Sequence, residues 1–175
     1  MSRPLLVVFI ASAWIATSAP AADPTWLVNS TADAHDAATG DGVCETSAPG
    51  ICTLRAAVEQ ASASGGGIVL VPAGTYHLSL GELLVTKSTE IDGDGAGVTS
   101  IVGAAGSRIL EVSSALVELS TTLFLRDLTL RDADILGSGA GGAVYGGVST
   151  ILTMERCDLI NALFAGGSAP TCPGT

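Results

Sequence analysis

Hydrophobic and polar positions along this chain follow two different periods. Between residues 54 and 61, Leu54, Ala57, Val58 and Ala61 stand at i, i+3, i+4 and i+7, which is one apolar stripe on a helix. Thr53 precedes the stripe as an N-cap, and the glycines at 65 to 67 stop it. Downstream the period is two, in short runs rich in Val, Ile, Leu and Thr: GIVLVPAGTYHLSL, ELLVTKSTEIDGDG, TSIVG, RILEVSS, TLFLRDLTLRDA and STILTMERCDLINA. Upstream, TWLVNS at 25 to 30 predicts another short strand, and the Asp-, Gly- and Ala-rich residues 31 to 50 predict a long loop. One helix therefore stands alone among strands.

Three strand segments resemble one another: VTKSTEIDG (85 to 93), FLRDLTLRD (124 to 132) and TMERCDLIN (153 to 161). Each has an inward candidate (Thr86, Leu125, Met154), then a polar pair (Lys87-Ser88, Arg126-Asp127, Glu155-Arg156). Two alternating inward candidates follow: Thr89 and Ile91, Leu128 and Leu130, Cys157 and Leu159. The parity of inward positions flips across the polar pair, so the chain bends there and begins a second short strand. The interval from Thr86 to Leu125 is longer than that from Leu125 to Met154, which predicts a β-solenoid with an insertion or an extra partial coil in the longer one. A solenoid has an open end whose unpaired backbone and apolar interior need covering. The lone helix suits that role, so residues 22–64 are read as an N-terminal cap and residues 65–175 as stacked coils.

Composition supports this picture. Aromatic residues make up only 4% of the chain, less filling than a β-sandwich core normally uses. At the N-terminus, Arg3 and the apolar run at 4 to 16 form a signal-peptide pattern, shorter than a spanning helix requires. Ala19 and Ala21 form the cleavage site, with the cut between Ala21 and Ala22, so residues 1–21 are read as a signal peptide. An uncleaved anchor is the alternative. Cleavage leaves six basic and 17 acidic residues, a net charge of −11 that disfavours nucleic acid as a partner.

Four cysteines in an exported chain point to disulfides. Order along the chain pairs Cys44 with Cys52. Cys157 either pairs with Cys172 or remains a buried thiol in its strand. The cysteine spacings are not metal-binding ones and there are only two histidines, so no metal or other cofactor is expected.

The helix start carries a recognisable motif. CTLRAAVEQA, from Cys52 through Thr53, Leu54, Arg55, Ala56, Ala57 and Val58 to Ala61, resembles the CSLREAI motif that opens secreted or surface right-handed parallel β-helix proteins. WLVNSTADAHDAATGDGVC resembles that family's leading strand and Asp-rich loop, and IVLVPAGTYHL, GELLVTKSTEIDGDGAG and GAGGAVYGG resemble its first coils and a Gly-rich rung. The resemblance covers Trp26 to Ala162 and implies an all-β, right-handed parallel β-helix with an N-terminal capping helix. Ala56 departs from the motif's glutamate, which removes the capping box and weakens the helix start by about 1 kcal/mol. Relatives of this kind run longer, and SAPTCPGT ends the sequence without an anchor, so the chain reads as truncated at its C-terminus.

Polysaccharide lyases share the parallel β-helix, so chemistry must be weighed too. Such a site needs clustered carboxylates for Ca²⁺ and an Arg or Lys that takes a proton beside a uronate. The candidates are Asp92 and Asp94 in DGDG, and Arg126, Asp127, Arg131 and Asp132 in RDLTLRD. DGDG also reads as a tight turn, and the RD pairs as solvated ion pairs at bends. In the third segment Glu155-Arg156 and Ile160-Asn161 stand at the places of the RD pairs, so the pairs are not repeated there. Asp33, Asp36 and Asp41 could gather around calcium, but a solvated loop explains them as well. His35 reads as a lone loop residue and His77 as a strand-surface residue. Arg55, at the unfavourable end of a helix dipole, is assigned to a loop carboxylate or carbonyl. Asn29-Ser30-Thr31 is a formal glycosylation sequon.

The expected function is thus a secreted or cell-surface scaffold with a structural, adhesive or binding role and no catalytic residues. Its partners would be carbohydrate or a host or cell-surface protein. The alternative is a pectate-lyase-like carbohydrate-active enzyme.

Overall fold

The computed structural model describes residues 22–113, 120–133 and 142–161, and the backbone of 164–165. Among these described residues the chain is mostly β, with one helix and three sheets in which every pairing is parallel. Sheet one holds β1 (Thr25–Leu27), β2 (Gly67–Val71), β5 (Thr89–Gly93), β8 (Thr121–Arg126) and β11 (Thr150–Glu155). Sheet two holds β3 (Gly74–His77), β6 (Thr99–Val102), β9 (Thr129–Arg131) and β12 (Asp158–Ile160). Sheet three holds β4 (Leu83–Val85), β7 (Leu110–Val112), β10 (Val144–Gly146) and β13 (Phe164–Ala165). From β2 onward the chain visits the three sheets in turn, laying each new strand beside the one three elements earlier.

Register turns this order into columns of side chains. Val69, Ile91, Leu125 and Met154 stack in sheet one and are all buried. Tyr76, Ile101 and Leu130 do the same in sheet two, and Leu83, Leu110 and Val144 in sheet three. Apart from Tyr76 these columns carry no ring and fill the interior with unringed side chains at the strand spacing, which accounts for the low aromatic content.

The sheet-one column advances by unequal stretches of chain, from Val69 to Ile91, then to Leu125, then to Met154. The interval from Leu125 to Met154 is the step from β8 to β11, as the sequence pattern predicts. The longer interval is one coil plus one further strand, the extra partial coil, because Ile91 lies beside Leu125 and not beside Leu130. Residues 85 to 93 turn the corner from sheet three into sheet one, whereas residues 124 to 132 turn from sheet one into sheet two. Only the second corner flips the inward parity, from Leu123 and Leu125 to Leu128 and Leu130; at the first, Leu83, Val85, Thr89 and Ile91 keep one parity, and Thr86 is half-buried where the sequence pattern expects it inward. Leu159 is also a correction: it registers beside Leu130 but is 36% exposed, with no strand paired on its other side among the described residues.

The corners between sheets one and two use the left-handed backbone region. Asp127 (φ 51°) and Arg156 (φ 50°) form one corner rung, and Asp132 (φ 58°) and Asn161 (φ 49°) form a rung beyond sheet two. Such φ values favour short polar side chains that bond locally. Here the bonds cross between rungs: Arg156 donates to both Asp127 oxygens, at 2.7 and 2.5 Å, and Asn161 donates to Asp132 at 3.0 Å. The RD pairs are thus not copied one turn later; instead Asp127 and Asp132 find hydrogen-bonding partners there.

The helix α1 (Leu54–Ala63) lies at the N-terminal end of the stack, packed on β1, β2, β4 and β5. Thr53 caps it, its Oγ1 accepting from Ala56 N at 3.1 Å and donating to Ala34 O at 2.6 Å. Leu54, Ala57, Val58 and Ala61 are buried, and Ala56 is fully buried as well, so position 56 is a packing position. At the other end Gly66 N donates to Ala61 O, with Gly65 left-handed, closing a Schellman turn. A Cβ on Gly66 would sit 2.3 Å from Ser88 O, so only glycine lets the helix run straight into β2. Cys44 and Cys52 form a disulfide that ties the preceding loop to the helix start.

Candidate functional site

Because Ile91, Leu123 and Leu125 point inward, their neighbours Glu90, Asp92, Phe124 and Arg126 point out from sheet one. Parallel register then places Glu90 beside Phe124, and Asp92 beside Arg126, which in turn lies beside Glu155. The Arg126 guanidinium lies 5.0 Å from the centre of the Phe124 ring. Its Nη1 reaches Glu90 Oε1 at 2.8 Å, and its Nε lies 3.3 Å from Glu155 Oε2. Arg126 thus bridges carboxylates from the turns on both sides, on an aromatic plate.

Electrostatics differ along the row. Burial pushes the Asp92 carboxyl above its ordinary range, and the nearby Asp127 charge adds to this. Asp127 moves the other way, held low by its hydrogen bonds to Arg156. Arg156 is pushed up by the same contact and stays a fixed cation. Beside the row opens a cleft of about 330 Å³, lined by Pro24, Ser64, Ser88, Glu90, Thr122 and Phe124 among others. Hydroxyls, an aromatic edge and paired charges therefore share one open surface.

The structure gathers Asp92, Arg126 and Asp127 on this face and leaves the remaining candidates elsewhere. Asp94 accepts from Ala73 N at 2.8 Å, a turn-stabilising role. Arg131 and Asp132 lie at the next corner, 3.9 Å apart. Glu155 and Arg156 complete the ion-pair row, and Phe124 supplies its ring; the spacing from Leu125 to Met154 marks the first two, and the i, i+2 spacing to Arg126 marks the third.

In the cap loop the aspartates serve the backbone. Asp36 accepts from Ala38 N and Asp41 from Val43 N, both at 2.8 Å. Asp33 is no solvated residue: its side chain is 3% exposed and accepts from Arg55, Ser79 N and Leu80 N. Among the described residues no group of three or more His, Cys, Asp or Glu side chains could hold a metal ion. His35 is not lone, its Nδ1 lying 2.6 Å from Glu59 Oε1, and His77 is exposed on β3.

The sequon residue Asn29 donates to Gly50 O at 2.8 Å and accepts from Cys52 N at 2.9 Å. Cys157 is buried with its Sγ 3.4 Å from Leu125 O, while Cys172 lies outside the described residues. Ala22 is exposed, and Ala21 and the rest of the leader also lie outside them. Among the described residues no helix is long and apolar enough to cross a membrane.

Two known proteins match most of this chain. It is 33% identical over 138 residues to mannuronan C5-epimerase AlgE1 of Azotobacter vinelandii, covering 70% of this chain and 10% of that protein. It is 32% identical over 138 residues to mannuronan C5-epimerase AlgE3 of the same organism, covering 70% of this chain and 7% of that protein. The chain thus spans a tenth or less of the length of these curated relatives. No family model and no solved structure matches it.

Proposed function

We propose that this chain is part of a secreted or cell-surface right-handed parallel β-helix whose sheet-one outer face binds a carbohydrate polymer. The serial, all-parallel order of three sheets supports the solenoid, and parallel crossovers are right-handed in nearly all proteins. The CSLREAI-like helix start and the A. vinelandii epimerase relatives, which act on mannuronan by name, support an extracellular polymer as ligand.

One observation carries the reading: the Phe124 and Arg126 pair, bracketed by Glu90, Asp92 and Glu155, beside a hydroxyl-lined cleft. Sugars offer an apolar C–H face and a rim of hydroxyls that both donate and accept. A ring–guanidinium plate with flanking carboxylates answers both. Strands about 4.8 Å apart repeat at close to the length of one pyranose, so a polymer lying along the stack meets a new rung with each sugar or so.

The role is binding, not bond-making. Both arginines of the face are tied to carboxylates, which makes them positioning charges and not proton acceptors. Titration calorimetry of the mature chain against mannuronan and a neutral β-glucan tests this. Binding to at least one is expected, weakened about tenfold by Phe124→Ala, or about 1.4 kcal/mol. Failure to bind either polymer removes the proposal.

The epimerase relatives favour a second reading, in which the face exchanges the C5 proton of a uronate. Incubation with mannuronan in deuterated water decides between them. No deuterium at C5 and no unsaturated uronate are expected; deuterium incorporation would replace the scaffold with an enzyme.

A further inference from the structure

The outer face of sheet three repeats the sheet-one arrangement with different residues. Leu84, Glu111 and Tyr145 form its outward column across β4, β7 and β10. The Arg108 guanidinium lies 4.5 Å from the centre of the Tyr145 ring. Its Nη1 reaches Glu111 Oε2 at 3.0 Å and Glu82 Oε2 at 3.3 Å, carboxylates from successive turns. This matches Arg126 on Phe124 between Glu90 and Glu155. The groups also share a perturbation: burial raises the Glu111 carboxyl, with the Glu82 charge adding to it, as burial and Asp127 raise Asp92.

A groove accompanies this second cluster too. It encloses about 610 Å³ between α1 and β4, lined by Val58, Glu59, Leu80, Glu82, Leu84 and Thr86 among others. Leu80 and Leu84 are each 50% exposed, so the floor is apolar while Glu59 and Glu82 edge it. The two clefts flank the C-terminal end of the helix: Ser62 and Ala63 line one, Ser64 to Gly67 the other. Between Thr86 in the first and Ser88 in the second stands Lys87, the only lysine of the chain.

We propose that the outer face of sheet three is a second carbohydrate-binding face, so that one chain holds two polymer strands on separate tracks. The inference rests on the binding role given to sheet one, and extends it to a site made of Tyr145, Arg108, Glu82 and Glu111. The ring–guanidinium plate and the paired acceptors suit the same ligand class on both faces. The apolar floor of the α1–β4 groove gives sheet three the larger contact with the C–H face of a sugar. Two tracks on one rigid stack turn a binder into a crosslinker, whose avidity for a polymer network exceeds that of either face.

Calorimetric stoichiometry with an oligomannuronate or cello-oligosaccharide short enough to occupy one face is the test. Two sites per chain are expected. Phe124→Ala and Tyr145→Ala should each weaken one of the two sites about tenfold and leave the other unchanged, and the double variant should weaken both. Arg126→Lys and Arg108→Lys, which keep the charge and remove the planar fork, should reproduce these losses should either alanine variant fold poorly. A single site lost only in the Phe124 variant overturns the second face. A single site lost in either variant also overturns it, since that marks one strand bent around the Lys87 corner. No binding in the unmodified chain instead overturns the sheet-one reading itself.

Discussion

Sheet one and sheet three are closed at their N-terminal ends in different ways. In sheet one a strand does it: β1 pairs with β2, Ile68 N donating to Pro24 O and Val28 N to Leu70 O, with Trp26 buried over the core. In sheet three no strand lies beyond β4 among the described residues, and helix side chains take its place. Arg55 donates to Glu82 O at 2.9 Å and to Gly81 O at 2.7 Å. Further along the helix, Ser62 Oγ donates to Leu84 O at 3.5 Å and accepts from Thr86 N at 3.2 Å. One face of the helix thus spans the polar edge of one short strand. A strand satisfies an edge through backbone groups and tolerates many sequences, whereas a helix does so through two particular side chains. The second solution concentrates stability in Arg55 and its partner Asp33.

Perturbing the helix end should therefore cost more per residue. Arg55→Ala leaves Asp33 buried without its cation and frees two edge carbonyls. A loss of about 3–5 kcal/mol in urea unfolding is expected, and a loss below about 1 kcal/mol would show that the edge does not depend on this residue. Opening the Cys44–Cys52 disulfide with a double serine variant should cost about 2–3 kcal/mol on the chain-entropy model. Ser62→Ala, which removes one hydroxyl from a half-buried edge, should cost about 1 kcal/mol.

The smallest effect is a pH dependence. Burial tends to raise the Asp33 carboxyl, but Arg55 and the amides of Leu80 and Ser79 outweigh it and hold it low. A group depressed in the folded state contributes stability above its unfolded pKa, about 3.9, and loses it as pH falls through the folded value. Acid unfolding of the native chain should therefore steepen below about pH 4. Asp33→Asn should flatten that limb, and an unchanged profile would detach Asp33 from the acid sensitivity.

Local patterns are the legible part of this fold. The stripe from Leu54 to Ala61 and the alternation within each strand are readable because these residues share one face with their near neighbours in sequence. The coil period is readable only where two stretches turn the same corner, as residues 124 to 132 and 153 to 161 do. Residues 85 to 93 turn another corner without a parity flip, because Val85 and not Thr86 points inward, and the apolar pattern does not choose between those two neighbours. The candidate face is half legible. Asp92, Arg126 and Asp127 stand out as charged groups at bends, while Glu155 and Arg156 look like a failure to repeat when they are the partners across the rung. Phe124 and Arg126 stand two apart on one strand, a same-face spacing that points to the ring. Tyr145 offers no comparable clue, because Arg108 reaches it from another turn.

The steps from Val69 to Ile91, from Ile91 to Leu125 and from Leu125 to Met154 differ in length, yet every inward column stays in line. Loop length is thus uncoupled from register, and the stack can absorb sequence at its corners as a bookshelf takes volumes of any depth. The connection between β6 and β7, exposed at Ala105 and Gly106, marks a position for grafting a foreign peptide or a second domain. Such a graft would travel on the side of the molecule without disturbing the order of the shelves.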